Sequence, residues 1–165
     1  MARTTPVNSG YSIINGNATG SNAAYVDVWL EWKQLSKNTS GNTSQVRVLL
    51  YAACTKSSST SWSAAENFGY VGYNGGNRQY RSTTYNFANN AVNCFGDYTF
   101  TIAHDNDGTK SITLQGEWST SHSTYISGGS VSGKVTLGTI PRASSITAAA
   151  DVTLGNACSV QWTPN

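Results

Sequence analysis

The residues with the clearest capacity for chemistry lie in His104-Asp105-Asn106-Asp107-Gly108-Thr109-Lys110, where carboxylates alternate as they do in calcium-binding loops. A loop of the EF-hand type spreads its ligands over about twelve residues and closes with a glutamate. Counted from Asp105, the twelfth position is Gly116, Glu117 falls one beyond, and Lys110 sets a cation among the ligands. Asp-Gly is also a strong turn signal, so the segment reads as a turn and no metal site is expected. His104 and His122 are the only histidines, and no Gly-x-Ser-x-Gly elbow accompanies them. Among the acidic residues, Asp27 and Glu31 share the outward face of one strand pattern. Four residues of strand separate them by about 13 Å, beyond the roughly 5–10 Å at which paired carboxylates cleave glycosides. The chain is therefore read as non-enzymatic and without a cofactor.

Aromatic side chains are the surplus that suggests binding. Trp62, Phe68, Tyr70, Tyr73, Tyr80, Tyr85 and Phe87 crowd the middle of the chain. Tyrosine joins a flat apolar face to a polar tip and suits wet surfaces, although aromatic packing within strands produces the same enrichment. Most of these residues, with Trp29, Trp32 and Trp118, are assigned to the core. Tyr70, Tyr73 and Tyr80 flank an Asn-Gly turn and are the expected exposed set, joined by Asn74 and Asn77 as hydrogen-bonding groups. Such a cluster serves either as a stacking platform for cell-wall glycans or as a seat for a protein neighbour, and the sequence reading favours the protein seat. Tyr73 and Tyr80 are far enough apart along the chain that a shared face is not guaranteed.

The elements that must position these residues are strands. Val26, Val28, Leu30 and Trp32 alternate with Asp27 and Glu31, the pattern of a half-buried strand. Val46, Val48 and Leu50, then Tyr98, Phe100 and Ile102, then Ile112 and Leu114, and later Val131, Val135 and Leu137, repeat it. No window of ten or more residues carries a helical period. Three glycine-bearing segments, at Asn74-Gly75, Asp107-Gly108 and Gly128-Gly129, are expected to close hairpins. The expected fold is all-β, an antiparallel sandwich (Ig-like or jelly-roll-like) over residues 20–140, preceded by an N-terminal arm at 1–19. Pro141 cannot sit inside a central strand, so residues 141–145 read as a linker. Residues 146–165 are too few for a core of their own and read as the beginning of a second Ig-like β-domain, with the polypeptide expected to continue.

Composition narrows the function further. Charged residues are 11% of the chain and the net charge is +2, against about 25% charged residues in a typical soluble domain. The basic residues are scattered, without the clustered footprint that duplex nucleic acid requires. No apolar run reaches the ~18 residues of a membrane span, and the start of the chain lacks the apolar core of a signal peptide. Nucleic-acid binding and membrane insertion are not expected. Asn17, Asn38 and Asn42 open glycosylation sequons but read as turn residues. Cys54, Cys94 and Cys158 form no Cys-x-x-Cys, and buried thiols are expected in preference to a Cys54–Cys94 disulfide.

Two stretches carry a family resemblance. Residues 104–112, from His104 through Asp107-Gly108-Thr109-Lys110 to Ile112, resemble the H-N-x-D-G-T-K segment of minor structural tail proteins of siphophages that infect Gram-positive bacteria. Thr139-Ile140-Pro141-Arg142-Ala143-Ser144 is similar to the T-I-P-R-A-S linker of the same family, which ends one β-sandwich and opens the next. The run from Val28 to Leu49 also looks like that family's N-terminal pattern, and the resemblance spans about residues 20–155. At Asp105-Asn106 the chain departs from the family, which often has Asn and a small residue there. The resemblance implies a virion component of the distal tail, made in the host cytoplasm. Its implied partners are other tail proteins, further copies in a homo-oligomer such as a trimer, and the host-surface glycan. It transfers no catalytic or binding residues.

Overall fold

The computed structural model describes residues 2–55, 63–87, 91–120, 126–142, 145–146 and 162–163. The alternating runs form strands β1 (Ser12–Asn15), β2 (Asn17–Thr19), β3 (Val26–Asn38), β4 (Thr43–Cys54), β5 (Ser63–Tyr73), β6 (Gly76–Asn86), β7 (Val92–Ala103), β8 (Ser111–Thr120) and β9 (Gly128–Thr136). Two further short strands, β10 (Ser145–Ile146) and β11 (Trp162–Thr163), pair with each other. A four-stranded sheet in the order β1-β3-β4-β7 packs on a five-stranded sheet in the order β2-β9-β8-β5-β6. The fold is thus an antiparallel β-sandwich, and a turn of 3-10 helix at Ala23–Tyr25 is the only helical element among the described residues.

Most of the residues that the alternation selects lie inward; Tyr98 is the exception, 43% exposed with its ring against Phe100. Val28, Leu30, Val46, Val48 and Leu50 from one sheet meet Val71, Ile112, Leu114, Trp118 and Val131 from the other in one buried cluster. Trp118 is the centre of its aromatic part, stacked on Phe95 at 4.4 Å between centroids and edge-on to Phe87 at 6.2 Å. The N-terminal segment serves both layers, β1 in one sheet and β2 in the other. At Gly16 it leaves β3 for β9, where a side chain would bring its Cβ within 2.2 Å of the Ser130 carbonyl oxygen. Residues 12–15 and 17–19 of the expected arm are therefore paired strands.

Glu31 corrects the simple inside-outside reading. It lies on the outer side of β3, as the alternation requires, yet it is fully buried. The remaining arm folds over it, so its carboxylate accepts hydrogen bonds from the Val7 N–H, from the N–H and side-chain amide of Asn8, and from Trp29 Nε1 at 3.0 Å. Trp29, Leu49, Tyr51 and Ala53 form a second buried cluster beneath this cover, joined by Tyr11, Ile13 and Cys94. Trp29 stacks on Tyr51 at 5.5 Å, and the Arg3 guanidinium lies 4.5 Å from the Trp29 ring centre. Cys54 belongs to the inner cluster and Cys94 to this outer one, on opposite faces of the sheet, and they are not bonded to each other.

Two of the three expected hairpins need correction. Asn74-Gly75 does join β5 to β6. The segment around Asp107-Gly108 instead carries the chain from β7 in one sheet to β8 in the other, because an Asp-Gly turn reverses the chain without specifying which strand comes next. β8 and β9 do form an antiparallel pair, but Gly128 and Gly129 lie within it, opposite Ser119 and Trp118. The tip of that hairpin, with Tyr125 and His122, falls outside the described residues, as do Trp62 and Cys158.

The connection at 104–110 instead closes one end of the sandwich. Asp107 accepts from the N–H and hydroxyl of Thr109, and Asp105 pairs with Lys110 at 2.7 Å. His104 is buried, with Nδ1 2.7 Å from the Gly108 carbonyl and Nε2 2.8 Å from Ser44 Oγ. Ser44 in turn accepts from Gln34, whose side-chain oxygen takes the Gly138 N–H. Leu137 and Ile140, beyond β9, are buried, and the Ile140 N–H donates to the Gly108 carbonyl.

Two predictions follow from these contacts. Burial pushes the Glu31 carboxyl up, but the bonds from Trp29, Asn8 and Val7 outweigh it and hold the pKa below its ordinary 4.5. A carboxyl lowered on folding contributes fully above its unfolded pKa and loses that contribution as pH falls through the folded one. Thermal melts should show Tm steady from neutral pH to about 4.5 and falling below it; Glu31→Gln should lower neutral-pH stability by about 2–3 kcal/mol and flatten that acid limb. Gly108 has φ +82°, and an added Cβ would lie 1.9 Å from the Ile140 carbonyl oxygen, whereas Gly75 at φ +76° has nothing within 4 Å. Denaturant unfolding should therefore find Gly108→Ala costing about 3 kcal/mol and Gly75→Ala about 1 kcal/mol.

Candidate functional site

The β5–β6 hairpin determines which aromatic side chains can meet a ligand. Asn74 and Gly75 occupy its turn at φ 52° and 76°, the two positive values a type I′ turn requires. Asn74 is committed to holding the hairpin against β8: its N–H donates to the Thr113 carbonyl at 2.8 Å and its side-chain oxygen accepts from the Thr113 N–H at 2.9 Å. The Gly75 N–H donates to Gln115 at 3.1 Å.

Asn77 acts through geometry. Val71 pairs with Gln79 but Tyr73 with Gly76, so β6 carries one residue more than β5 over this stretch. Asn77 lies in that stretch at φ 50°, as the extra residue of a bulge does. In an unbroken ladder Gln79 would stand opposite Tyr70. The extra residue puts Tyr80 there instead, and the two rings meet at 5.5 Å between centroids.

Tyr73 lies on the other side of the sheet. It packs on the inner cluster, edge-on to Phe100 at 5.3 Å. The expected set therefore divides: Tyr70 and Tyr80 lie together on the outer face, Asn74 and Asn77 shape the turn that aligns them, and Tyr73 faces the core.

Register extends the tyrosine pair across the whole five-stranded sheet. Tyr80 stands opposite Tyr70, Tyr70 opposite Glu117, Glu117 opposite Ser130, and Ser130 opposite Asn17. The Tyr70 hydroxyl donates to Glu117 Oε2 at 3.2 Å, and the Arg78 guanidinium lies 4.5 Å from the Tyr70 ring centre. Partial burial and the bond to Glu117 both raise the Tyr70 pKa, so the phenol stays a neutral donor. The hydrogen bond that Arg78 gives to the Tyr80 hydroxyl oxygen raises the pKa of Arg78. Phe68 and Tyr80 are exposed at 61% and 67% beside this rung.

Two adjoining grooves lie along the rung. One of about 220 Å³ is bordered by Phe68, Tyr70, Arg78 and Tyr80, and one of about 430 Å³ by Tyr70, Arg78, Gln115, Glu117, Ser130 and Asn17. A larger hollow of about 540 Å³ beside the arm is lined chiefly by Ala2, Ala18, Ala23 and Ala24 with Asp27, and presents no aromatic ring. Arg78, Glu117, Ser130 and Asn17 are the members of the outer face that the sequence reading did not single out. Alternation with Gly116, Trp118, Gly129 and Val131 marks Glu117 and Ser130 as outward, but only strand register sets them beside Tyr70.

Tyr73 and Tyr80 should separate experimentally. Tyr73→Ala should lower unfolding free energy by about 2 kcal/mol through lost packing, while Tyr80→Ala should change it by less than about 0.5 kcal/mol, measured by urea denaturation.

The family profile described as "Siphovirus protein of unknown function (DUF859)" matches residues 20–165. No curated protein and no solved structure matches the chain.

Proposed function

We propose, from the premise that the chain belongs to this family of siphovirus proteins of unknown function, that it is a structural protein of the virion tail, a β-sandwich module that builds or attaches a distal component. The observation that carries this reading is that the chain is locked to the sandwich on both sides. The arm is held by Glu31 and by a reciprocal bond in which the Arg3 N–H donates to Asn15 at 2.8 Å and the Asn15 amide returns to the Arg3 carbonyl at 3.0 Å. Beyond β9, Gly138 donates to Gln34, Lys37 donates to the Thr139 carbonyl at 2.9 Å, and Arg142 reaches the Thr39 carbonyl at 3.3 Å. Segments held this way leave the domain at fixed points, which suits a module that sets the position of what is joined to it. The resemblance of residues 104–112 and 139–144 supports a place at the distal tail and a Gram-positive host. Its partners would be neighbouring tail proteins and further copies of the chain.

A second reading, a receptor-binding surface for host cell-wall glycans, is favoured by the exposed Tyr80 ring on the half-buried Tyr70, with Arg78 and Glu117 beside them. The structural reading is tested on purified particles. Mass spectrometry should detect the chain in the virion, and gold-labelled antibody should mark the tail end away from the head; particles that contain none of it, or label only at the head, would overturn the proposal.

A further inference from the structure

Resting on the glycan reading above, we propose that the rung Tyr80–Tyr70–Glu117–Ser130–Asn17 is the floor of a binding groove for an uncharged oligosaccharide, with Tyr80 and Glu117 as its determinants. Register places the five side chains in one row across five strands. At a strand spacing of about 4.8 Å the row is about 19 Å long, room for several linked sugar rings.

The chemistry changes along the row in the way a sugar chain needs. At one end the exposed rings of Tyr80 and Phe68 offer flat apolar faces to the C–H face of a pyranose. In the middle, Glu117 accepts and Arg78 donates within one groove, so adjacent hydroxyls on one ring find an acceptor and a donor together. At the far end Ser130 and Asn17 supply a hydroxyl and an amide. The central groups are held before a ligand arrives, because Arg78 lies on Tyr70 and Tyr70 is bonded to Glu117. Little side-chain freedom then remains to be lost on binding.

Charge selects the class of ligand. Arg78 and Glu117 oppose each other in the same groove, so a phosphate-bearing polymer meets the carboxylate and a cationic one meets the guanidinium. A protein neighbour is the weaker fit. Such a contact covers about 800 Å² on each partner around an apolar centre, and here the two exposed rings give way within one strand to a charged and hydroxylated row.

The test is an array carrying neutral oligosaccharides, uronic-acid oligosaccharides and polyglycerol phosphate, probed with the full chain and three variants of matched Tm. The full chain should bind at least one neutral oligosaccharide. Tyr80→Ala and Glu117→Gln should each weaken that binding by about tenfold or more, while Tyr73→Phe, on the inner face, leaves it unchanged. Binding confined to the charged polymers would overturn the proposal. Neutral binding that survives both Tyr80→Ala and Glu117→Gln would remove the groove but leave the glycan reading standing, and failure to bind any glycan would remove both.

Discussion

The arrangement of this domain depends on one buried carboxylate. Glu31 sits in the middle of β3 on the side facing away from the inner core, where an uncompensated charge would cost several kcal/mol to bury. Donors from Val7, Asn8 and Trp29 compensate it, and the first two lie in the arm. Burying Glu31 and folding the arm are therefore one event. Because the arm is in place, Trp29, Leu49 and Tyr51 can be apolar on a face that would otherwise meet water. β3 and β4 become two-sided strands, buried above and below.

The opposite consequence falls on the five-stranded sheet. The arm covers the central strands of its partner, while the outer face of β5, β6, β8 and β9 carries serine, glutamine, glutamate, arginine and exposed aromatic side chains. The two layers thus divide the work. One is covered on both faces and holds the arm and the segment after β9; the other is buried on one face and open to solvent on the other.

Side chains bonded to backbone take much of the role that ion pairs have elsewhere. With so few charged residues, the closed end relies on His104, Ser44, Gln34 and Asn42 to satisfy carbonyls and amides of loops that have no strand partner. An unpaired buried amide costs about 1–3 kcal/mol, so each such contact allows an irregular segment to lie against the core. The high content of Asn, Ser, Thr and Gly is the compositional trace of that strategy.

Period-two alternation is a local property, so the all-β class, the inward sets of β3, β4, β8 and β9, and the Asn74-Gly75 turn were all legible in the amino-acid sequence. What alternation reports is the side of a strand, not what lies on that side. Alternation places Glu31 outward, yet only the folded arm makes outward mean buried. Likewise, Asp107-Gly108 announces a reversal, and tertiary packing makes that reversal a passage between sheets, held where His104 bonds to Ser44 and Ile140 donates to Gly108. The candidate site shows the same limit. Tyr70, Tyr80 and Asn77 were identifiable as residues, but their joint use depends on a one-residue bulge that changes which side chain stands opposite Tyr70. Glu117, Ser130 and Asn17 join them across pairings from strands far apart in the chain. Register is settled by the summed fit of whole strands and their buried faces, and no local run of residues contains it.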